Sequence, residues 1–248
     1  MRVQTEFIDL PRAGGVMRVM RARPADNLPR PALLFYSDIF QLTESTQRMA
    51  IRFAGHGFVV AAPEIYWRFE PAGTAYAFDD PGRDRGQACA NRMRTRDFDD
   101  DIAALLDFVA NDSGIAADAI GAVGWCLGGH IAFRAALSPR VKATACFYPT
   151  GLHDGALAGD GDAGSLARAH EITGSLLTIF GSIDPHTDAA GRAVVERGLD
   201  ASGIRHCVSC YDAEHAFMRD VGARYDPAAT DAAFAEAIEW FRSSGVEP

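Results

Sequence analysis

Gly124-Trp125-Cys126-Leu127-Gly128-Gly129 follows the apolar run Ala119-Ile120-Gly121-Ala122-Val123 and precedes the helix-like stretch His130-Ile131-Ala132-Phe133-Arg134-Ala135-Ala136-Leu137. A strand that passes into a helix through one sharp turn, with glycine two residues before and two after the apex, is the arrangement of a nucleophile elbow. The tight turn leaves no room for Cβ atoms beside the apex, which accounts for glycine at 124 and 128. The apex residue is Cys126, so a thiol stands where many hydrolases carry a serine. Its backbone lies at a helix N-terminus, where unpaired N–H groups and the positive end of the helix dipole favour a thiolate and an oxyanion. Taken alone, the pattern also fits a structural cysteine at a strand end, and the rest of the chain has to decide.

Apolar runs bounded by turn residues recur at 32–36, 58–62, 120–125, 143–148, 176–180 and 207–211, as buried parallel strands do. Between them lie helix-period segments at 44–54, 98–110, 189–199 and 228–241. Strands alternating with helices predict an α/β fold: a mostly parallel, doubly wound sheet with helices on both faces. Residues 5–10 and 16–22, separated by Pro11-Arg12-Ala13-Gly14-Gly15, read as an N-terminal antiparallel hairpin at one edge. Segments 70–86 and 151–164 read as polar loops. Each follows a predicted strand, where the ligand crevice of an open α/β sheet forms, although for 151–164 a plain solvated loop fits at least as well.

With 248 residues, 48% of them hydrophobic and 23% charged, the chain can bury a large core, and residues 1–248 are read as one domain. A formal net charge of −9 argues against nucleic-acid and anionic-membrane partners and for a small-molecule ligand. No stretch approaches the roughly 18 apolar residues of a membrane span, and Met1-Arg2-Val3-Gln4-Thr5-Glu6 lacks the apolar block of a secretory signal, so the expected location is the cytoplasm. Five cysteines, an odd number in a chain able to build its own core, fit free thiols in a reducing compartment.

A cysteine nucleophile needs a base, and the base needs an orienting group. Of seven histidines, His215 in Tyr211-Asp212-Ala213-Glu214-His215 follows the last predicted strand before the C-terminal helix, over the sheet's carboxyl edge. His206 precedes a strand, His130 lies in the elbow helix and His56 in a helix-ending turn, all better suited to structural or solvated roles. Asp184, in Phe180-Gly181-Ser182-Ile183-Asp184-Pro185, also follows a strand and lies between nucleophile and histidine, the chain order of this hydrolase architecture. An N-capping role is the competing explanation for it, and Asp188 and Glu214 are weaker rivals. The N–H groups of Leu127 and of Ile39, in the loop after Tyr36, are the expected oxyanion donors. This chemistry calls for no cofactor and no metal.

With these residues in place, the chain resembles the dienelactone hydrolase family of the α/β-hydrolase superfamily along nearly its whole length. The motifs are Asp38-Ile39-Phe40, Ala62-Pro63-Glu64-Ile65-Tyr66-Trp67-Arg68, Gly124 to Gly129, Gly181 to Pro185, and Glu214-His215-Ala216-Phe217. The resemblance implies opening of a carboxylate-bearing enol-lactone by acyl transfer to the thiolate and then hydrolysis. It implies that Asp38 occupies the place of the carboxylate, usually glutamate, that controls the cysteine's ionisation, here one methylene shorter. It also implies that Arg219 and Arg85, with Arg83 as a fallback, hold the substrate carboxylate, and that Tyr148 either lines the pocket or packs. Segment 151–164 departs from the more compact family pattern.

A thiolate attacks readily but also leaves readily, so activated esters and lactones are better substrates than amides. The expected partner is therefore a small-molecule lactone or ester, acted on by a monomer or small homo-oligomer. Two other classes remain open from the residues alone. One is a thiol redox or sensor protein using Cys126, given the spacing Cys207-Val208-Ser209-Cys210; the other is a non-catalytic binding protein on the same scaffold.

Overall fold

Among the described residues, eight strands form one sheet: β1 (Val3–Arg12), β2 (Gly15–Pro24), β3 (Arg30–Tyr36), β4 (Val59–Pro63), β5 (Ile115–Trp125), β6 (Ala143–Phe147), β7 (Ser175–Gly181) and β8 (Arg205–Tyr211). The computed structural model describes residues 1–26 and 28–248, with residues 117, 118 and 158 described by backbone alone. The spatial order is β1-β2-β4-β3-β5-β6-β7-β8. β1 and β2 pair antiparallel over their full length, as the hairpin pattern predicts, and β2 pairs antiparallel with β4. Every other pairing is parallel.

Alternation along the central strands divides the core into two layers. Leu34, Tyr36, Ala122, Cys146 and Leu176 face α3 (Thr95–Ala110), α4 (Leu127–Ala136) and α5 (Ala189–Ser202), meeting Ile102, Leu105, Ile131 and Val195. Leu33, Phe35, Val123, Trp125 and Leu177 face α1 (Glu44–Gly55) and α6 (Pro227–Ser243), meeting Phe53, Phe234 and Phe241. The period of two in the strands thus presents alternate side chains to helices on both faces. Among the described residues, no helix is long and apolar enough to cross a membrane.

The polar segment 70–86 is corrected by the structure, because its second half belongs to a helix, α2 (Asp80–Arg92). Asp79 caps it by accepting from the Gly82 N–H at 2.8 Å, and a proline occupies the first turn. The buried face consists of Gly82, Gly86, Cys89 and Ala90. Those residues keep helical spacing but add too little hydrophobic bulk to stand out from the charged residues around them. A Cβ on Gly86 would lie 2.4 Å from the Ile39 carbonyl oxygen, so the helix rests directly on the loop after β3.

Segment 151–164 is tied down at several points. It contains an Ala156–Asp162 bridge, and the Asp160 carboxylate accepts from the Thr95 N–H and from Arg94 Nη1. Gly159 N–H donates to the Met93 carbonyl at 2.9 Å.

Candidate active site

Cys126 follows β5 and heads α4 with φ 56° and ψ −120°, a backbone conformation that costs a non-glycine residue on the order of 1–3 kcal/mol unless the surroundings impose it. Here they do. A Cβ on Gly124 would stand 2.1 Å from the Gly128 carbonyl oxygen, and one on Gly128 would stand 2.2 Å from that of Tyr36. The Cys126 N–H donates to Phe147 O at 3.0 Å, and its carbonyl accepts from the N–H groups of Gly129, His130 and Thr150. The half-buried side chain faces a cavity of about 470 Å³ and lies 4.0 Å from Thr150 Oγ1.

Asp184 and His215 arrive on the loops after β7 and β8. Those loops touch, since a Cβ on Gly181 would lie 2.3 Å from the Ala213 carbonyl oxygen, and the Ser182 N–H donates to Tyr211 O at 2.7 Å. His215 Nδ1 donates to Asp184 Oδ2 at 2.7 Å, which leaves Nε2 for the sulfur. Asp184 Oδ1 accepts from the His186 N–H at 2.7 Å. Burial works against a charged His215, but the Cys126 charge, the hydrogen bonds to Asp184 and Cys126, and the Asp184 charge outweigh it and push the pKa up to about 9. Burial would raise the Asp184 carboxyl, yet the hydrogen bond and charge of His215 and the His186 N–H hold it below the ordinary value. Asp184 and His215 therefore form a hydrogen-bonded pair, and His215 lines the same cavity as Cys126.

Leu127 and Ile39 line that cavity too. Leu127 opens α4, so its N–H is one of the donors that a helix leaves unused. The Ile39 N–H lies in the turn held by Asp38, whose Oδ1 accepts from the Phe40 N–H at 2.9 Å and whose backbone carbonyl accepts from the Gln41 N–H.

Asp38 does not hydrogen-bond the thiol. Its short side chain closes the turn with Oδ1 and accepts from Arg219 Nη2 at 2.8 Å with Oδ2. Arg219 lines the cavity, its guanidinium packed on the rings of Phe40 and Phe78 at 4.8 and 4.2 Å.

Arg85 is a correction. It turns away from the cavity, donates to Glu70 from Nε at 3.0 Å, and lies over the Tyr76 ring. Arg83 lines the cavity instead, while also bonding Asp80. Residues two apart on a helix diverge by about 200°, so once 80–92 is helical the two arginines point to different sides. Of the two alternatives for Tyr148, packing is the one found: it is buried, with its ring edge-on to His215 at 4.9 Å and to Phe217 at 5.4 Å.

The rival candidates have other roles. Asp188 caps α5 through the Gly191 N–H, and Glu214 pairs with Arg224. His130 is fully buried between Thr150 O and Ser165 Oγ, and His206 bonds the Ile204 carbonyl. Cys207 and Cys210 are unpaired thiols on β8.

Sequence reasoning missed His186. Its ring packs edge to face against His215 with centroids 4.4 Å apart, and it lines the cavity. The signal was its position two residues after Asp184, since an Asp side chain often accepts from the N–H two residues on. His153 and Arg224, also at the cavity wall, carried no such signal.

A profile of the dienelactone hydrolase family matches residues 17–245. A Saccharomyces cerevisiae protein provisionally named carboxymethylenebutenolidase is 33% identical over 217 residues, 85% of this chain and 79% of the yeast protein. The carboxymethylenebutenolidase of a Pseudomonas species is 24% identical over 216 residues, 86% of this chain and 84% of its own. Among solved structures, one from Klebsiella pneumoniae provisionally named dienelactone hydrolase superposes with a TM-score of 0.84 at 21% identity, covering 98% of this chain and 99% of that one. At that identity the likeness speaks for the fold alone. The chain belongs to the dienelactone hydrolase family, and is a carboxylic ester hydrolase on the α/β-hydrolase fold.

Proposed function

We propose that this single-domain chain opens lactones and activated carboxylic esters through Cys126, His215 and Asp184, by way of a thioacyl-enzyme. The observation that carries this reading is the 2.7 Å His215–Asp184 hydrogen bond meeting the strained Cys126 at one cavity. The sulfur attacks the substrate carbonyl, and the oxyanion gathers beneath the N–H groups of Leu127 and Ile39. His215, which holds the proton taken from the thiol, returns it to the departing enolate or alkoxide, leaving an acyl group on sulfur. It then takes a proton from water, whose oxygen attacks the thioester and frees Cys126. Asp184 fixes the imidazole tautomer throughout and stabilises its cationic form.

A carboxylate on the substrate has Arg219 and Arg83 available at the cavity wall, and the acid lactone is expected to be preferred over its methyl ester. Asp38 acts in this reading through Arg219, by holding the guanidinium in place. The five unpaired thiols fit a reducing, cytoplasmic setting.

The test is turnover of an enol-lactone and an activated aryl ester by Cys126→Ala and His215→Ala proteins. Each variant is expected to lose about three or more orders of magnitude in kcat/KM. Near-parental rates in either would overturn the triad. Equal kcat/KM for the acid lactone and its methyl ester would remove the arginines from substrate binding.

A further inference from the structure

Two imidazoles, not one, stand at the triad. The His186 backbone N–H donates to Asp184 Oδ1 while His215 Nδ1 donates to Oδ2, so one carboxylate holds both residues. Their rings pack at 4.4 Å with an interplanar angle of 67°, and both line the cavity that holds Cys126. Tyr148 also packs edge-on to His215. Of these two packing partners, His186 alone can become a cation in the ordinary pH range. The charges that act on it most are those of His215, Asp184 and Arg224, and Arg83, His153, Asp154 and Arg219 line the same cavity.

We propose that His186 is a positioning residue of the triad, whose neutral imidazole holds the His215 ring in line with the sulfur and whose protonation disables the site on the acid side. The inference rests on the triad reading above. A proton on His186 puts a positive charge against His215, disfavours the cationic imidazole and so hinders His215 from taking up the proton that catalysis requires of it. Burial, the charge of His215 and that of Arg224 lower the His186 pKa against the opposing pull of Asp184, which keeps the ring neutral at ordinary pH.

The experiment compares parental protein with His186→Phe, which keeps an aromatic ring without the titration, His186→Gln, which keeps a neutral polar side chain, and His186→Ala. Two quantities are followed from acid to alkaline pH: kcat/KM on an activated aryl ester, and the alkylation rate of Cys126 by iodoacetamide, resolved from the other thiols by peptide mass spectrometry. The parental acid limb is expected to fall with two protons. In His186→Phe and His186→Gln it should fall with one, its midpoint moved to lower pH in both readouts. His186→Ala should also lose about tenfold in kcat/KM at pH 8 through the freed His215 ring, with an unchanged melting temperature. An acid limb identical in parent, His186→Phe and His186→Gln overturns the proposal. A Cys126→Ala control run alongside keeps the two ideas apart: its retained turnover would instead sink the triad itself.

Discussion

His215 keeps its proton to unusually high pH because the Cys126 sulfur and Asp184 favour its cation more than burial opposes it. An imidazole with a raised pKa contributes stability that is complete below its unfolded value of 6.5 and is lost as pH climbs through about 9. In Cys126→Ala the first of the favouring charges is gone. The His215 pKa, followed by NMR, should then fall back toward 6.5; a value still near 9 would mean the sulfur is not what holds the proton. Asp184→Asn should lower kcat about a thousandfold or more, because an amide can hold the imidazole in the wrong tautomer while preserving its place. Retention of parental kcat would exclude Asp184 as the orienting group. At this scale, the placement of Cys126, Asp184 and His215 at one edge of the sheet was readable because each follows a strand in a fixed chain order. The direction of Arg85 was not, since a resemblance carries over the position of a residue but not the direction in which its side chain leaves the backbone.

Helix α2 reaches the chemistry by a second route besides Arg83. Gly86 abuts the Ile39 carbonyl, and Ile39 supplies one proposed oxyanion donor. In Gly86→Ala the new methyl group must push either the helix or the Ile39 peptide aside. A misaimed donor costs less than a deleted one, so kcat should fall about tenfold, against the hundredfold or more for losing a donor outright. Unchanged kcat with an intact fold would show that the Ile39 N–H takes no part. The six apolar runs that pair in parallel with a neighbour, the hairpin and the longer amphipathic helices could all be read from periodicity. The glycine-faced α2 could not, because periodicity detects bulk and this helix packs by lacking it.

Across the whole molecule, the elbow helix connects the sheet to segment 151–164 through His130. Thr150 offers a carbonyl oxygen, so His130 Nδ1 must donate to it at 2.9 Å, and Nε2 then accepts from the Ser165 hydroxyl at 2.8 Å. Ser165 Oγ in turn accepts from Arg134 Nη1, whose guanidinium also pairs with Asp99. Burial drives the His130 pKa down to about 4, Arg134 adding to the effect against the Thr150 hydrogen bond. A lowered imidazole pKa means that the unfolded chain binds the proton first. Stability is therefore lost as pH falls from 6.5 toward 4, by about 3 kcal/mol in all from this one group. Denaturant midpoints at pH 7 and 4.5 should show a smaller acid loss in His130→Gln than in the parent. Equal losses would rule His130 out as the acid-labile point. Sequence composition made segment 151–164 look like a free loop because its anchors are single polar contacts far apart in the chain. The same ring grips the chain just before the segment, at Thr150, and just after it, at Ser165, so the intervening residues form a cassette closed by one clasp. His153 and Asp154, which border the cavity, belong to that cassette. Shorter or longer inserts between the same two anchor points should therefore change which acyl groups are accepted while leaving the machinery at Cys126 assembled.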